Sequence, residues 1–129
     1  MCRPTVGETH TFARTFTTDE VERFAEVSGD TQDRHTEPDD GQLLVHGLLT
    51  ATLPTKIGGD LEVLATAMAF EFVRPVYTGD RISCTWIFDA VTERDDRYEV
   101  AVNVGCENEA GETVLDGTIE GLIWRESSD

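Results

Sequence analysis

LLVHGLLTATLPTKI, residues 43–57, is an apolar segment that predicts a helix. Its apolar side chains would cover most of the helix circumference, and a helix that is apolar nearly all round is buried in a core. Gly58 and Gly59 predict the end of this helix. Pro54 lacks a backbone N–H group, so we expect the helix to kink there or to end its regular part early.

Strands are predicted on both sides of this helix. Residues 9–16 precede it, and four further strands follow it at residues 61–73, 81–92, 98–107 and 113–124. Short turns separate the later strands, which is typical of an antiparallel meander. One buried helix and one large antiparallel sheet make an α+β fold. We expect the sheet to curl around the helix at residues 43–57.

A shorter helix is predicted at residues 18–28. Thr17 and Glu20 have the spacing of a capping box, in which each side chain binds the other residue's backbone N–H. Val21, Phe24 and Ala25 then lie on one helix face. Gly29 is suited to the left-handed cap that ends a helix. Residues 31–42 are polar and are predicted to form a loop.

The chain is strongly acidic. Its 129 residues form one predicted domain, 1–129, and carry a formal net charge of −16, with Lys56 as the only lysine. Such a field repels nucleic acids and anionic membrane surfaces. An acidic excess with few lysines is typical of halophilic proteins, in which salt screens the repulsion. We therefore expect a halophilic protein in a high-salt cytoplasm, with an ordinary acidic protein as the alternative.

The cysteines and the hydropathy also favour the cytoplasm. Cys2, Cys84 and Cys106 form no Cys-x-x-Cys pair, and the last two lie in apolar strand patterns as small core residues. Neither a signal peptide nor an apolar run of membrane-spanning length is visible. The large apolar side chains of the strands are expected in the core rather than in a ligand pocket: Met68, Phe70, Phe72, Trp86 and Phe88.

The candidate functional residues lie within residues 24–49. Asp30 and His35 supply a carboxylate and an imidazole, and His46 and Gly47 stand at the head of the apolar segment. A general acid/base pair beside the positive end of a helix suits chemistry at an acyl carbonyl. Each residue also has a simpler interpretation: a turn for Asp30, a solvated loop side chain for His35, and packing at the helix start for His46 and Gly47.

Five motifs resemble the MaoC-like, (R)-specific enoyl-CoA hydratase family, whose fold is the hot-dog fold. They are FAEVSGD at residues 24–30, DTQDRH at 30–35, HTEP at 35–38, VHGLLTA at 45–51 and RPVYTGD at 74–80. The chain departs from the family pattern in several places. The stretch between His35 and His46 is shorter than in the family, and Val63 stands where the family often has a serine. Three positions of the DTQDRH motif also differ. Gln32, Asp33 and Arg34 stand where the family has Asn, Pro and an aliphatic residue.

The resemblance implies a hydro-lyase that adds water to a trans-2-enoyl thioester. Asp30 and His35 are then the catalytic residues, Gly47 and His46 form the oxyanion and substrate-binding site, and coenzyme A enters as part of the substrate. The resemblance implies no cofactor, and no set of residues has metal-ligand spacing. It also implies a homodimer, or a larger homo-oligomer, in fatty acid metabolism.

Two other functions remain open at this point. A hot-dog acyl-CoA thioesterase would use Asp30 to direct water at the thioester carbonyl. A non-catalytic module would bind acyl thioesters without turnover. The departures at Gln32, Asp33 and Arg34 are the features that favour these alternatives.

Overall fold

A five-stranded antiparallel sheet forms the frame of the chain. The computed structural model describes residues 3–125, so Cys2 lies outside the described residues. The strands are β1 (Thr9–Thr15), β2 (Leu64–Phe72), β3 (Arg81–Glu93), β4 (Arg97–Glu107) and β5 (Thr113–Trp124). Their order in the sheet is β1-β3-β4-β5-β2. The predicted meander is confirmed for β3 to β5, while β2 pairs with β5 and closes the other edge.

Four helical segments accompany the sheet. They are α1 (Thr18–Ser28), α2 (Asp33–Thr36), α3 (Gly47–Thr50) and α4 (Thr52–Asp60). None of the helices within residues 3–125 has the length and apolar character needed to cross a membrane. The α+β class is confirmed, with α4 packed against the sheet.

Helix α1 begins and ends where the sequence predicts. The Thr17 hydroxyl accepts from the Glu20 N–H, and the Glu20 carboxylate accepts from the Thr17 N–H, which completes the capping box. Gly29 ends the helix with a φ of 79°, in the left-handed region where a side chain would be strained. The loop after α1 begins at Asp30, so this cap fixes where that side chain emerges.

The core lies between α4 and one face of the sheet. Strand β3 alternates buried and outward side chains, with Ile82, Cys84, Trp86 and Phe88 pointing inward. Cys84 lies opposite Cys106 of β4, and both thiols are buried, as predicted for small core residues. Trp86 packs against Gly58 of α4, where an added Cβ would lie 3.2 Å from the indole ring.

The helix predicted at residues 43–57 is wrong at its start. Residues 43–46 are extended, because their backbone groups bind a distant segment rather than each other. Val45 N–H donates to Val76 (2.8 Å), and Thr78 N–H donates to Leu43 (2.9 Å). Leu43 and Val45 fill the core with the period-two alternation of a strand.

The end of this helix also differs from the prediction. The helix is interrupted at Ala51, three residues before Pro54, whose missing N–H leaves the carbonyl of Thr50 without its usual helical donor. The predicted effect of Pro54 is thus confirmed as an early interruption. Gly58 and Gly59 do not stop the helix, which continues to Asp60; Gly58 is instead needed for the close approach of Trp86.

Two of the predicted core residues lie on the surface. Met68 and Phe72 of β2 are 49% and 53% exposed, whereas Trp86 and Phe88 are buried as predicted and Phe70 is partly buried against the core. The difference arises because β2 is an edge strand, whose outer side lacks a neighbour within residues 3–125. The sequence pattern of β2 shows apolar content but not its position in the sheet.

Candidate active site

His35 is a buried side chain held by a backbone carbonyl. It lies in α2, a single helical turn within the predicted loop, and only 5% of the residue is exposed. Its Nδ1 lies 2.6 Å from the carbonyl oxygen of Leu44, so Nδ1 carries the proton and donates. The solvated loop histidine considered from the sequence is therefore wrong. In the neutral ring, Nε2 is then an acceptor, and it lies 3.6 Å from Asp30 Oδ2.

Asp30 is oriented by a residue that departs from the family pattern. The side-chain amide of Gln32 donates to Asp30 Oδ1 at 2.8 Å. This hydrogen bond is the main cause that holds the pKa of Asp30 below its usual value, with smaller contributions from the Gln32 backbone and the two histidines, and partial burial opposes them. Asp30 is therefore a carboxylate at neutral pH, and Gln32 orients its second oxygen toward His35.

Asp30 and His35 face each other at a distance suited to a shared water molecule. Asp30 Oδ2 and His35 Nε2 are 3.6 Å apart, too far for a direct hydrogen bond. When the His35 ring is neutral, both atoms are acceptors. One water molecule can therefore donate one O–H to the carboxylate and the other to the imidazole. The structure brings together the two residues that the sequence singles out for acid/base chemistry.

His46 contacts both members of the Asp30–His35 pair. Its Nε2 donates to the backbone carbonyl of Asp30 at 2.9 Å, and its ring stacks on that of His35 with centroids 3.6 Å apart. Phe24 also contacts the His46 ring in an edge geometry, with centroids 4.9 Å apart. These contacts favour a positioning role, in which His46 holds the backbone of Asp30 and the ring of His35.

The same three side chains also form the one cluster of metal-ligand type found among residues 3–125. The ligand atoms of Asp30, His35 and His46 lie within 4.8 Å of one another. However, the two imidazole rings are nearly parallel, with an interplanar angle of 15°, so their in-plane lone pairs do not converge on one point. Each ring also commits one nitrogen to a carbonyl. The geometry therefore favours hydrogen bonding over metal coordination.

Gly47 lies at the start of α3, beneath the ring of Phe72. A Cβ at position 47 would lie 2.8 Å from Phe72 Cε1, which is closer than carbon atoms pack. As the first helical residue, Gly47 has an N–H without an intrahelical acceptor. The interruption at Ala51 limits α3 to four residues, whereas the sequence predicts one continuous helix. The backbone N–H of Gly47 is still without an intrahelical acceptor.

All of these groups line one open cleft of about 420 Å³. Its walls combine the acid/base pair with apolar surface from three separate parts of the chain, and the lining residues are Phe24, Asp30, Gln32, Arg34, His35, Leu44, Val45, His46, Gly47, Leu48 and Phe72. A cleft with a few convergent polar groups on apolar walls is typical of a small-molecule site. A neighbouring cavity of about 230 Å³ shares the Gly47 and Phe72 wall.

Sequence reasoning missed several members of this site. The Leu44 carbonyl gives no signal, because any residue type supplies a carbonyl. The sequence predicts Phe72 in the core, although it lies on an edge strand above Gly47. The sequence distinguishes Gln32 and Arg34 only as departures from the pattern of the resembled family. The cleft gives each of them a place beside Asp30 and His35.

One sequence comparison bears on this site. No family model matches the chain. The chain is 27% identical over 127 residues to a mitochondrial 3-hydroxyacyl-[acyl-carrier-protein] dehydratase of Arabidopsis thaliana. The match covers 92% of this chain and 76% of the plant protein.

Solved structures resemble the chain over almost its whole length. The (R)-hydratase from A. caviae involved in PHA biosynthesis has a TM-score of 0.79, with 20% identity and coverage of 95% of this chain and 98% of the hydratase. The MaoC-like dehydratase from Rhodospirillum rubrum has a TM-score of 0.77, with 19% identity and coverage of 96% and 95%. A chain of the ChsH1-ChsH2 complex from Mycobacterium tuberculosis has a TM-score of 0.77, with 20% identity and coverage of 95% and 100%. The fold of this chain is therefore the hot-dog fold, in the form found in MaoC-like hydratases and dehydratases.

Proposed function

We propose that the chain is a hydro-lyase that adds water across the double bond of a trans-2-enoyl thioester, as an (R)-specific enoyl-CoA hydratase or a related dehydratase. The observation that carries this proposal is the pair of acceptors, Asp30 Oδ2 and His35 Nε2, 3.6 Å apart on one wall of the cleft. The similarity to proteins named hydratases and dehydratases supports the same reaction class.

The proposed reaction uses the acid/base pair twice. A water molecule held between Asp30 and His35 gives a proton to the pair as its oxygen attacks the β-carbon of the enoyl group. The double-bond electrons move toward the thioester carbonyl and form an enolate. The pair then returns the proton to the α-carbon. Hydroxyl and hydrogen are added in total, and Asp30 and His35 end in their starting protonation states.

The positions of Asp30 and His35 predict the stereochemistry of water addition. Because both groups lie on one wall of the cleft, hydroxyl and proton reach the same face of the substrate, which is syn addition. Hydration in D₂O tests this prediction, since NMR coupling constants of the product give the relative configuration at the α- and β-carbons. Syn placement of deuterium and hydroxyl is expected. An anti product would contradict delivery from a single pair.

Gly47 is proposed to bind the oxygen that becomes negative in this reaction. Its N–H lacks an intrahelical acceptor, and Gly47 lines the cleft that holds Asp30 and His35. A fixed donor that faces a developing oxyanion is worth more than the same contact in water, because the donor is already oriented. Phe72 packs against this position, where an added Cβ would lie 2.8 Å from its ring.

Gly47→Ala is expected to lower kcat by about tenfold or more while the protein stays folded. The new Cβ would lie 2.8 to 3.1 Å from three atoms of the Phe72 ring. That ring is half exposed and can move, so the substitution displaces the oxyanion wall rather than unfolding the core. Small displacements of positioned groups cost up to about 100-fold in rate. Steady-state hydration kinetics and thermal unfolding measure the two effects.

Gly59→Ala is the matched control, because a Cβ at that position has no neighbouring atom within 4 Å. It should retain wild-type turnover. In the double variant Gly47→Ala with Phe72→Ala, removal of the ring should restore part of the lost rate. Full activity in Gly47→Ala would contradict the proposal that the close contact between Gly47 and Phe72 is needed for catalysis.

We propose that two copies of the chain form a homodimer through the free edge of β2. The strand LATAMAFEF has one charged residue in nine, Glu71, although charged residues make up 28% of the chain. Leu64, Met68 and Phe72 are each about half exposed. Natural edge strands in contact with water are usually protected by charges or prolines, whereas this strand has no proline and only the one charge of Glu71. Phe72 would place the cleft next to the dimer interface.

Met68→Asp is expected to convert the dimer into a monomer, because it places a carboxylate at the centre of the proposed interface. Sedimentation velocity in molar KCl measures the mass. Val27→Asp makes the same change of charge on the exposed face of α1, where Val27 is 86% exposed, and should leave the mass unchanged. Equal masses for the wild type and Met68→Asp would contradict a β2 interface.

We propose that the protein works in a high-salt cytoplasm. Its 26 acidic and 10 basic residues and its single lysine support adaptation to salt. The buried thiols of Cys84 and Cys106 remain free although they lie opposite each other, which is in keeping with a reducing compartment.

A further inference from the structure

The arginines of this chain differ in whether they have a carboxylate partner. Of its nine arginines, seven lie within 4.0 Å of a carboxylate in residues 3–125, and the two without such a partner there are Arg34 and Arg81. On a chain with a net charge of −16, an arginine without a carboxylate partner within 4.0 Å in residues 3–125 is an exception. Only one of these two arginines, Arg34, lines the cleft that holds Asp30 and His35.

Arg34 is also fixed by its backbone while its side chain has no structural task in the described residues. Its carbonyl accepts from the Leu44 N–H at 2.9 Å, so α2 is tied to the extended segment on the other side of the cleft. The guanidinium makes neither a side-chain hydrogen bond nor a cation–π contact with the other residues of 3–125. Its five N–H donors are therefore available to a ligand.

The positive charge of Arg34 is suited to an anionic group on the substrate. Thioesters on coenzyme A or on an acyl carrier carry phosphate groups, and the acidic surface of this chain repels them. A guanidinium matches the geometry of phosphate and carboxylate oxygens better than an ammonium group does. Arg34 is next to His35 in the chain. Apart from the histidines, it is the only basic residue in the lining of the cleft that holds the reacting groups.

We propose that Arg34 binds an anionic oxygen group of the thioester substrate and thereby selects the substrates that the cleft accepts. The proposal rests on the proposed hydratase function and deepens it. The anion is either a phosphate of the carrier or a carboxylate on the acyl group, which share the chemistry that a guanidinium recognises. Arg34 is a specificity-determining residue in this account, whereas Asp30 and His35 perform the chemistry.

The test uses Arg34→Gln on the full chain with three trans-2-enoyl thioesters. The first is carried on coenzyme A, the second on pantetheine without phosphates, and the third on pantetheine with a carboxylate at the acyl end. Salt is kept at the lowest concentration at which the protein stays folded, because salt screens the contact. For the substrate that carries the recognised anion, KM should rise about tenfold or more, and kcat should change less than KM.

The three substrates separate the two sources of the anion. A large effect of Arg34→Gln with the coenzyme A thioester, and little with either pantetheine thioester, identifies a carrier phosphate. A large effect only with the carboxylated thioester identifies an acyl carboxylate. Arg34→Lys should recover part of the affinity, because it keeps the charge without the bidentate geometry.

Arg81→Gln is the matched control, since it removes an equally unpaired charge outside the cleft lining. Equal constants for Arg34→Gln and Arg81→Gln with all three substrates would overturn the proposal. Calorimetric binding of the corresponding saturated thioesters separates this proposal from the hydratase. Arg34-dependent binding without turnover supports the anion contact and contradicts the hydratase, whereas absence of binding and turnover contradicts both.

Discussion

Asp30→Asn is expected to lower the kcat of hydration by roughly 10²- to 10⁴-fold. Asn has nearly the shape of Asp and can still accept the hydrogen bond from Gln32 at Oδ1. Its amide nitrogen, however, replaces the acceptor oxygen that faces His35 Nε2 at 3.6 Å. The water molecule then loses the carboxylate as an acceptor, and the negative charge that stabilises a protonated His35 is removed.

The fold should be unaffected by this change, because the Asp30 side chain is 40% exposed and holds no core contact. Thermal unfolding of the variant should match that of the wild type. Asp33→Asn is the control, since it removes the same charge three residues away on an exposed side chain outside the cleft lining. If Asp30→Asn keeps its activity within a few-fold, Asp30 has no role in proton transfer.

Dilution from about 2 M to about 0.1 M KCl is expected to lower the melting temperature by roughly 10 °C or more, or to unfold the protein. The screening length grows from about 2–3 Å to about 10 Å over this range, so repulsion among surface carboxylates reappears. Each kcal/mol lost corresponds to a shift of about 2–8 °C for a domain of this size. Pairing cannot compensate, because 26 acidic residues face 10 basic ones.

A variant with fewer surface carboxylates tests the cause of this salt dependence. Glu22, Glu26 and Asp89 are exposed and form none of the ion pairs found in residues 3–125. The triple variant Glu22→Gln, Glu26→Gln, Asp89→Asn should need less salt to reach the same melting temperature. A wild-type melting temperature that is the same in low and molar salt would count against adaptation to salt.

Much of the fold follows from local patterns in the sequence. The alternation in β3 and the cap at Gly29 are set by neighbouring residues, so they are predictable without knowledge of the rest of the chain. Residues 43–46 are different, because their apolar run fits either a helix or a buried strand. The choice depends on Val76 and Thr78, which accept and donate the backbone hydrogen bonds from 31 and 35 positions away.

The site was predictable in its chemistry more than in its architecture. The motifs single out Asp30, His35 and Gly47, and the folded chain brings all three into one cleft. Burial of His35 was not predictable, because it depends on the Leu44 carbonyl and on the stacked ring of His46. Phe72 reaches Gly47 from an edge strand, and a strand's position in a sheet is not encoded in its own residues.

One assay tests the central claim, hydration of an enoyl thioester by this cleft, most directly. The protein is incubated in molar KCl with a short trans-2-enoyl-CoA, and loss of the conjugated thioester and release of free thiol are followed separately. We predict loss of conjugation without thiol release in the wild type, and neither change in Asp30→Asn. Thiol release would identify a thioesterase instead. Silence in both channels while acyl-CoA still binds would identify a non-catalytic binding module and contradict the claim that this chain is a hydratase.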